Sequence, residues 1–158
     1  MRPHLEYAGV SWSPWLQQDI ERLERVQRRA IGMISNLGRG TYEEKLEEVG
    51  MLSLADRRER GDMITAYKIL SGKEKVEPGL IFSMGGDGHG PRTRLTTGTH
   101  HIRKQTTKPK TDVRRHSFSQ RVVDTWNALP DSLKGADTVL AFKVGFDKWV
   151  KEGRLGAR

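Results

Sequence analysis

The run from His116 to Pro130 limits the possible fold more than any other part of this chain. Phe118, Val122, Trp126 and Leu129 recur at helical spacing and line one face. Arg121, Asp124 and Asn127 fall off that stripe. Pro130 has no backbone N–H to donate and ends the helix. Just upstream lies a segment of threonine and positive charge with almost no apolar residues. Spacing alone therefore reads as a packed helix behind a solvated basic loop.

Similar periodicity occupies both flanks. Arg2 to Ala8 reads as a short helix or the end of one, and Trp12, Pro14 and Trp15 as a turn. A strong helix is expected from Asp19, its N-cap, to a stop at Asn36 and Gly38. Ile20, Leu23, Val26, Ala30, Ile31 and Ile34 would form its buried side. Thr41 and Glu44 stand in capping-box register for a short helix carrying Leu46 and Val49 and stopping at Gly50. Ser53 is the expected cap of a longer helix, with Asp56 in its first turn. That helix would bury Leu54, Met63, Ile64, Tyr67 and Leu70 and end at Gly72. After a turn at Asp131 to Leu133, a last helix capped by Asp137 or Thr138 places Val139, Phe142, Phe146, Trp149 and Val150 on one face. Gly153 would end it.

Between these flanks the pattern dissolves. Gly85 to Gly90 reads as a flexible link. From His89 to His116 there are eight basic residues and one acid, Asp112, nearly the whole net charge of +8. Such a composition does not fold alone, though its threonines permit a loose β-hairpin on the body. The expected fold is mainly α: a small helical bundle with a long basic loop or loose β-hairpin between helices. Its regions are 1–72, a helical body; 73–115, a flexible basic Gly/Thr-rich segment; and 116–158, a C-terminal helical pair.

Charge narrows the function classes. A basic chain with pI near 10.0 favours an anionic partner. Arg103, Lys104, Lys108, Lys110, Arg114 and Arg115 are the preferred phosphate contacts. Arg22, Arg25 and Arg29, with Arg28, form a second set; its rival reading is a solvated face paired with Glu21 and Glu24. Cysteine is absent, which removes disulfides and thiolate metal sites and fits an intracellular protein. His89, His100, His101 and His116 lack the pre-set geometry of a metal site, so no metal or other cofactor is expected. The glycine cluster lacks the Gly-Lys-Ser/Thr ending of a phosphate loop. Ser117 and Ser119 beside His116 do not make a triad by proximity in sequence. No apolar run approaches the ~20 residues of a membrane helix, and no small-molecule substrate is expected.

The order of residues from Arg114 to Leu133, RRHSFSQRVVDTWNALPDSL, resembles the C-terminal signature of reverse transcriptases from non-LTR, LINE-type retrotransposons of the jockey-like and chicken-repeat-like group. Arg2 to Tyr7, Trp12 to Pro14, Ile20 to Ala30, Tyr42 to Leu46, Leu52 to Leu54, Arg57-Arg58 and Arg60 to Ile64 resemble the same proteins in the same order. The resemblance implies the thumb and post-thumb region of an RNA-directed DNA polymerase. Polymerase chemistry needs paired aspartates that hold two metal ions, and this chain has no adjacent Asp-Asp. The implied role is that of a non-catalytic fragment, not an enzyme by itself, binding RNA–DNA hybrid or duplex without sequence preference. The missing palm domain of the parent would be a further partner. The implied location is intracellular, with the nucleus as one option. The alternatives are a host-retained helical protein-interaction module and a functionless mobile-element remnant.

Overall fold

The computed structural model describes residues 5–34, 40–84, 102–103 and 111–155. The fold is mainly α, with one two-stranded antiparallel ladder among the described residues. Two compact units divide the chain, Met1–Gly61 and Asp62–Arg158.

The first unit contains α1 (Gly9–Trp12), α2 (Gln17–Gly32), α3 (Tyr42–Glu48) and the start of α4 (Leu54–Leu70). The start of α2 differs from expectation. Leu16 occupies the cap position, and its carbonyl already accepts the N–H groups of Asp19 and Ile20 at 3.0 and 3.1 Å. Asp19 therefore sits in the first turn, where its charge favours the positive end of the helix. The helix also stops earlier, at Gly32; Asn36 and Gly38 lie outside the described residues. Its buried side is different again. Ile31 is buried, but Val26 and Ala30 are exposed, and Gln27 is buried in their place.

Local signals hold well in α3 and α4. The Thr41 hydroxyl accepts the Glu44 N–H at 3.3 Å, and the Glu44 carboxylate accepts the Thr41 N–H at 2.8 Å. Gly50 follows with φ of 65°, a left-handed conformation that favours glycine. The Ser53 hydroxyl accepts the Asp56 N–H at 3.1 Å.

The second unit comprises the rest of α4, α5 (Pro78–Ile81), β1 (Ser83–Met84), β2 (Ile102–Arg103), α6 (Asp112–Arg115), α7 (Phe118–Ala128), α8 (Asp131–Lys134) and α9 (Val139–Leu155). The division at Gly61 falls inside α4 because Met63, Tyr67 and Leu70 pack with α7 and α9. Composition, by contrast, changes at 72. Tyr67 stacks on Phe142 at 4.3 Å, and Phe142 lies 6.1 Å from Trp126, at the centre of the core. Phe118 is only partly buried, but Val122, Trp126 and Leu129 are buried as their spacing requires, and Val123 joins them. The Thr138 hydroxyl caps α9 through the Ala141 N–H at 3.0 Å. Gly153 does not end that helix, which runs on to Leu155, and the expected turn after Pro130 is the short helix α8.

The segment read as patternless contributes to the core. Phe82 and Ile102 are buried in it. Ser83 pairs with Arg103 and Met84 with Ile102. Asn127 of α7 serves β2 in the manner of a neighbouring strand: its amide accepts the Ile102 N–H at 3.1 Å and donates to the Ile102 carbonyl at 2.8 Å. Asn127→Ala leaves both groups of a buried residue without that partner. It should cost about 1–3 kcal/mol in chemical denaturation. A loss below roughly 0.5 kcal/mol, the scale of an ordinary surface change, would contradict this role.

Candidate nucleic-acid interface

The orientation of α2 is set by its contacts with the rest of the first unit. Leu23, Gln27 and Ile31 are four residues apart and turn to the same side. Gln27 donates to the Tyr42 hydroxyl at 3.0 Å and to the Leu52 carbonyl at 3.1 Å, and accepts from Arg57. Arg57 also pairs with Glu6 at 2.9 Å. Glu24 accepts hydrogen bonds from the Tyr42 hydroxyl and from the Leu54 N–H, the latter at 3.0 Å. The start of α4 is thereby tied to α2.

Tyr42 records this environment. Partial burial, and then its hydrogen bond to Glu24, push the phenol from 10.0 up to about 12. Because the folded value lies above the ordinary one, folding favours the protonated form. That contribution is complete below about pH 10 and is lost as the pH rises toward 12. Thermal unfolding of the wild type should therefore show an alkaline destabilisation that is reduced in Tyr42→Phe. Identical alkaline profiles would count against the contact.

With Glu24 turned inward, α2 presents Arg22, Arg25 and Arg29 on its outer side. They border a groove of about 370 Å³ floored by Val26, Ala30 and Met33. Arg22 to Arg29 spans about 10 Å along the helix. Arg22 makes an exposed pair with Asp19 at 3.3 Å, of the weak, screened kind. Arg25 and Arg29 have no carboxylate partner among the described residues. The expected alternative pairing with Glu21 and Glu24 is absent there: Glu21 accepts from Gln17 at 3.1 Å, and Glu24 is engaged as above. Arg28 differs from the other three, lying 4.8 Å over the Tyr42 ring.

The second set is divided. Arg114 and Arg115 are exposed on α6, and Arg115 pairs with Asp112 at 3.3 Å. Arg103 is placed by its backbone in β2. Lys104, Lys108 and Lys110 lie outside the described residues, as do His89, His100 and His101. Among the described residues, no group of three or more His, Cys, Asp or Glu side chains is arranged to hold a metal ion. No described helix is long and apolar enough to cross a membrane.

Two tethers flank residues 104–111, and both come from α7. Asn127 holds Ile102 on one side. On the other, Arg121 donates to the His116 carbonyl at 3.2 Å. Arg121 is itself locked to Asp62 by two hydrogen bonds, at 2.7 and 3.0 Å. Reading the sequence as a stripe missed these roles, since both residues lie off the apolar face. Gln27 left a clearer signal, a polar residue in register between Leu23 and Ile31.

No family model, curated protein or solved structure matches the chain.

Proposed function

We propose that this chain is a non-catalytic, thumb-like fragment of a LINE-type reverse transcriptase that binds RNA–DNA hybrid or duplex through phosphates. The observation that carries the reading is the arginine face of α2. Arg22, Arg25 and Arg29 share one exposed groove, and Arg25 and Arg29 form no ion pair among the described residues. Guanidinium groups in such a row neutralise successive phosphates and release counterions, without reading bases. Arg114 and Arg115 add exposed charge in the second unit.

The chain supplies grip and no polymerisation, because it lacks the aspartate pair that two-metal chemistry requires. In this reading the palm of the parent enzyme is the natural cover for exposed side chains such as Tyr7 and Leu16, which are 81% and 46% exposed. Nuclear or other intracellular placement follows from the nucleic-acid partner.

Two experiments test the reading. Binding of labelled hybrids and duplexes of unrelated sequence should give affinities within about threefold of one another, well inside the ~10³-fold or greater preference of sequence-specific proteins. Strong preference for one sequence would overturn sequence-independent phosphate binding. The reading frame upstream of Met1 should encode an aspartate-pair palm; a frame without one would overturn the fragment assignment.

A further inference from the structure

We propose that the first unit pairs with a second copy of itself, the arginine face of α2 in one copy taking the acidic face of α3 in the other. The inference goes beyond nucleic-acid binding and does not depend on it. Arg25 and Arg29 have no carboxylate partner among the described residues. Glu43, Glu47 and Glu48 are exposed on α3 and have no cationic partner there either. Glu44 is different, being held in the capping box with Thr41. The two sets thus occupy neighbouring helices of one unit; Arg25 and Glu43 border a common cleft, but no ion pair joins the sets among the described residues.

Their spacings match. Arg25 and Arg29 are four residues apart, as are Glu43 and Glu47, so each pair spans about 6 Å of helix. Two guanidinium groups can therefore meet two carboxylates across one helix–helix contact. Apolar surface accompanies both faces: Val26 and Met33 are 42% and 74% exposed beside the arginines, and Leu52 is 42% exposed just beyond α3. Each copy carries one face of each sign. A two-fold arrangement makes the contact twice and closes, leaving no free end to propagate. Nucleic acid bound to the same arginines excludes this contact, so the dimer is a nucleic-acid-free form.

Sedimentation of the full, nuclease-treated chain tests this without any nucleic acid present. At low salt a concentration-dependent dimer is expected. It should weaken at least tenfold near 1 M salt, where the screening length falls to about 3 Å. Arg25→Glu with Arg29→Glu should abolish it, as should Glu43→Lys with Glu47→Lys. An equimolar mixture of the two variants should restore a dimer, because each reversed face then meets its complement. Glu47→Lys with Glu48→Lys is a second acidic-face variant that leaves the first turn of α3 untouched, and circular dichroism checks that helix content is retained. A chain that stays monomeric at every concentration overturns the proposal. So does a dimer indifferent to the reversals, or variants that fail to associate when mixed. If the wild-type dimer forms but hybrid does not bind, the nucleic-acid reading fails and the self-association stands.

Discussion

Replacing Arg22, Arg25 and Arg29 together by alanine should reduce the salt dependence of nucleic-acid binding by about half. Each neutralised phosphate contributes about 0.9 to the log–log slope, so ~6 contacts give around −5 and the loss of three leaves around −3. Over a fourfold rise in salt, the lost slope corresponds to roughly a 40-fold smaller fall in affinity. The fold should tolerate the change. All three side chains are exposed, alanine is a strong helix former, and surface changes of this kind usually stay within about 0.5 kcal/mol per site. A triple variant with wild-type slope would remove α2 from the interface. Melting data for the same variant separate that outcome from misfolding.

The second large effect concerns stability. Asp62→Ala removes the carboxylate that receives Arg121 at 2.7 and 3.0 Å, with side chains 8% and 20% exposed. Breaking a buried pair from one side costs about 3–5 kcal/mol. Arg121 is partly exposed and keeps the His116 carbonyl, so the loss here should lie at the lower end, about 3 kcal/mol. That is a large share of the roughly 5–15 kcal/mol that holds a typical domain together. Asp62→Leu with Arg121→Met should be milder than the single change, since neither charge is then left behind. Urea denaturation of the two variants decides this. A single-variant loss below about 1 kcal/mol would place the pair in the weak surface class.

These two sites also explain what could be read before the structure and what could not. The Thr41 capping box, the Ser53 cap and the Phe142–Phe146 face involve neighbours within a few residues, so spacing alone reveals them. Arg121 and Asp62 are 59 positions apart, and neither lies on an apolar stripe. Ile102 sits in a run whose composition argues against folding. It is buried because Phe82, α7 and the Asn127 amide surround a short strand. Composition measures what a segment buries by itself and is blind to what its neighbours offer. In α2 the helical period was legible but the buried side was not: a network of hydrogen bonds draws Gln27 inward and leaves Val26 and Ala30 outside.

The segment from His116 to Pro130 also acquires a physical meaning. Val122, Trp126 and Leu129 pack the core of the second unit, while Arg121 and Asn127 tie down the chain on either side of residues 104–111. In the proposed reading this segment is an anchor, and other residues would supply the phosphate contacts. Arg25 and Arg29 are the best-defined of those, because neither forms an ion pair among the described residues and Glu24 is committed to Tyr42 and Leu54.

The most direct test of the central claim is a salt titration of the wild-type chain on an RNA–DNA hybrid, followed by anisotropy. A duplex of B-form DNA provides the reference, for which ~6 phosphate contacts predict a log–log slope around −5. The account predicts a steep loss of affinity for both ligands as salt rises. Affinity that is flat from low to high salt would contradict it.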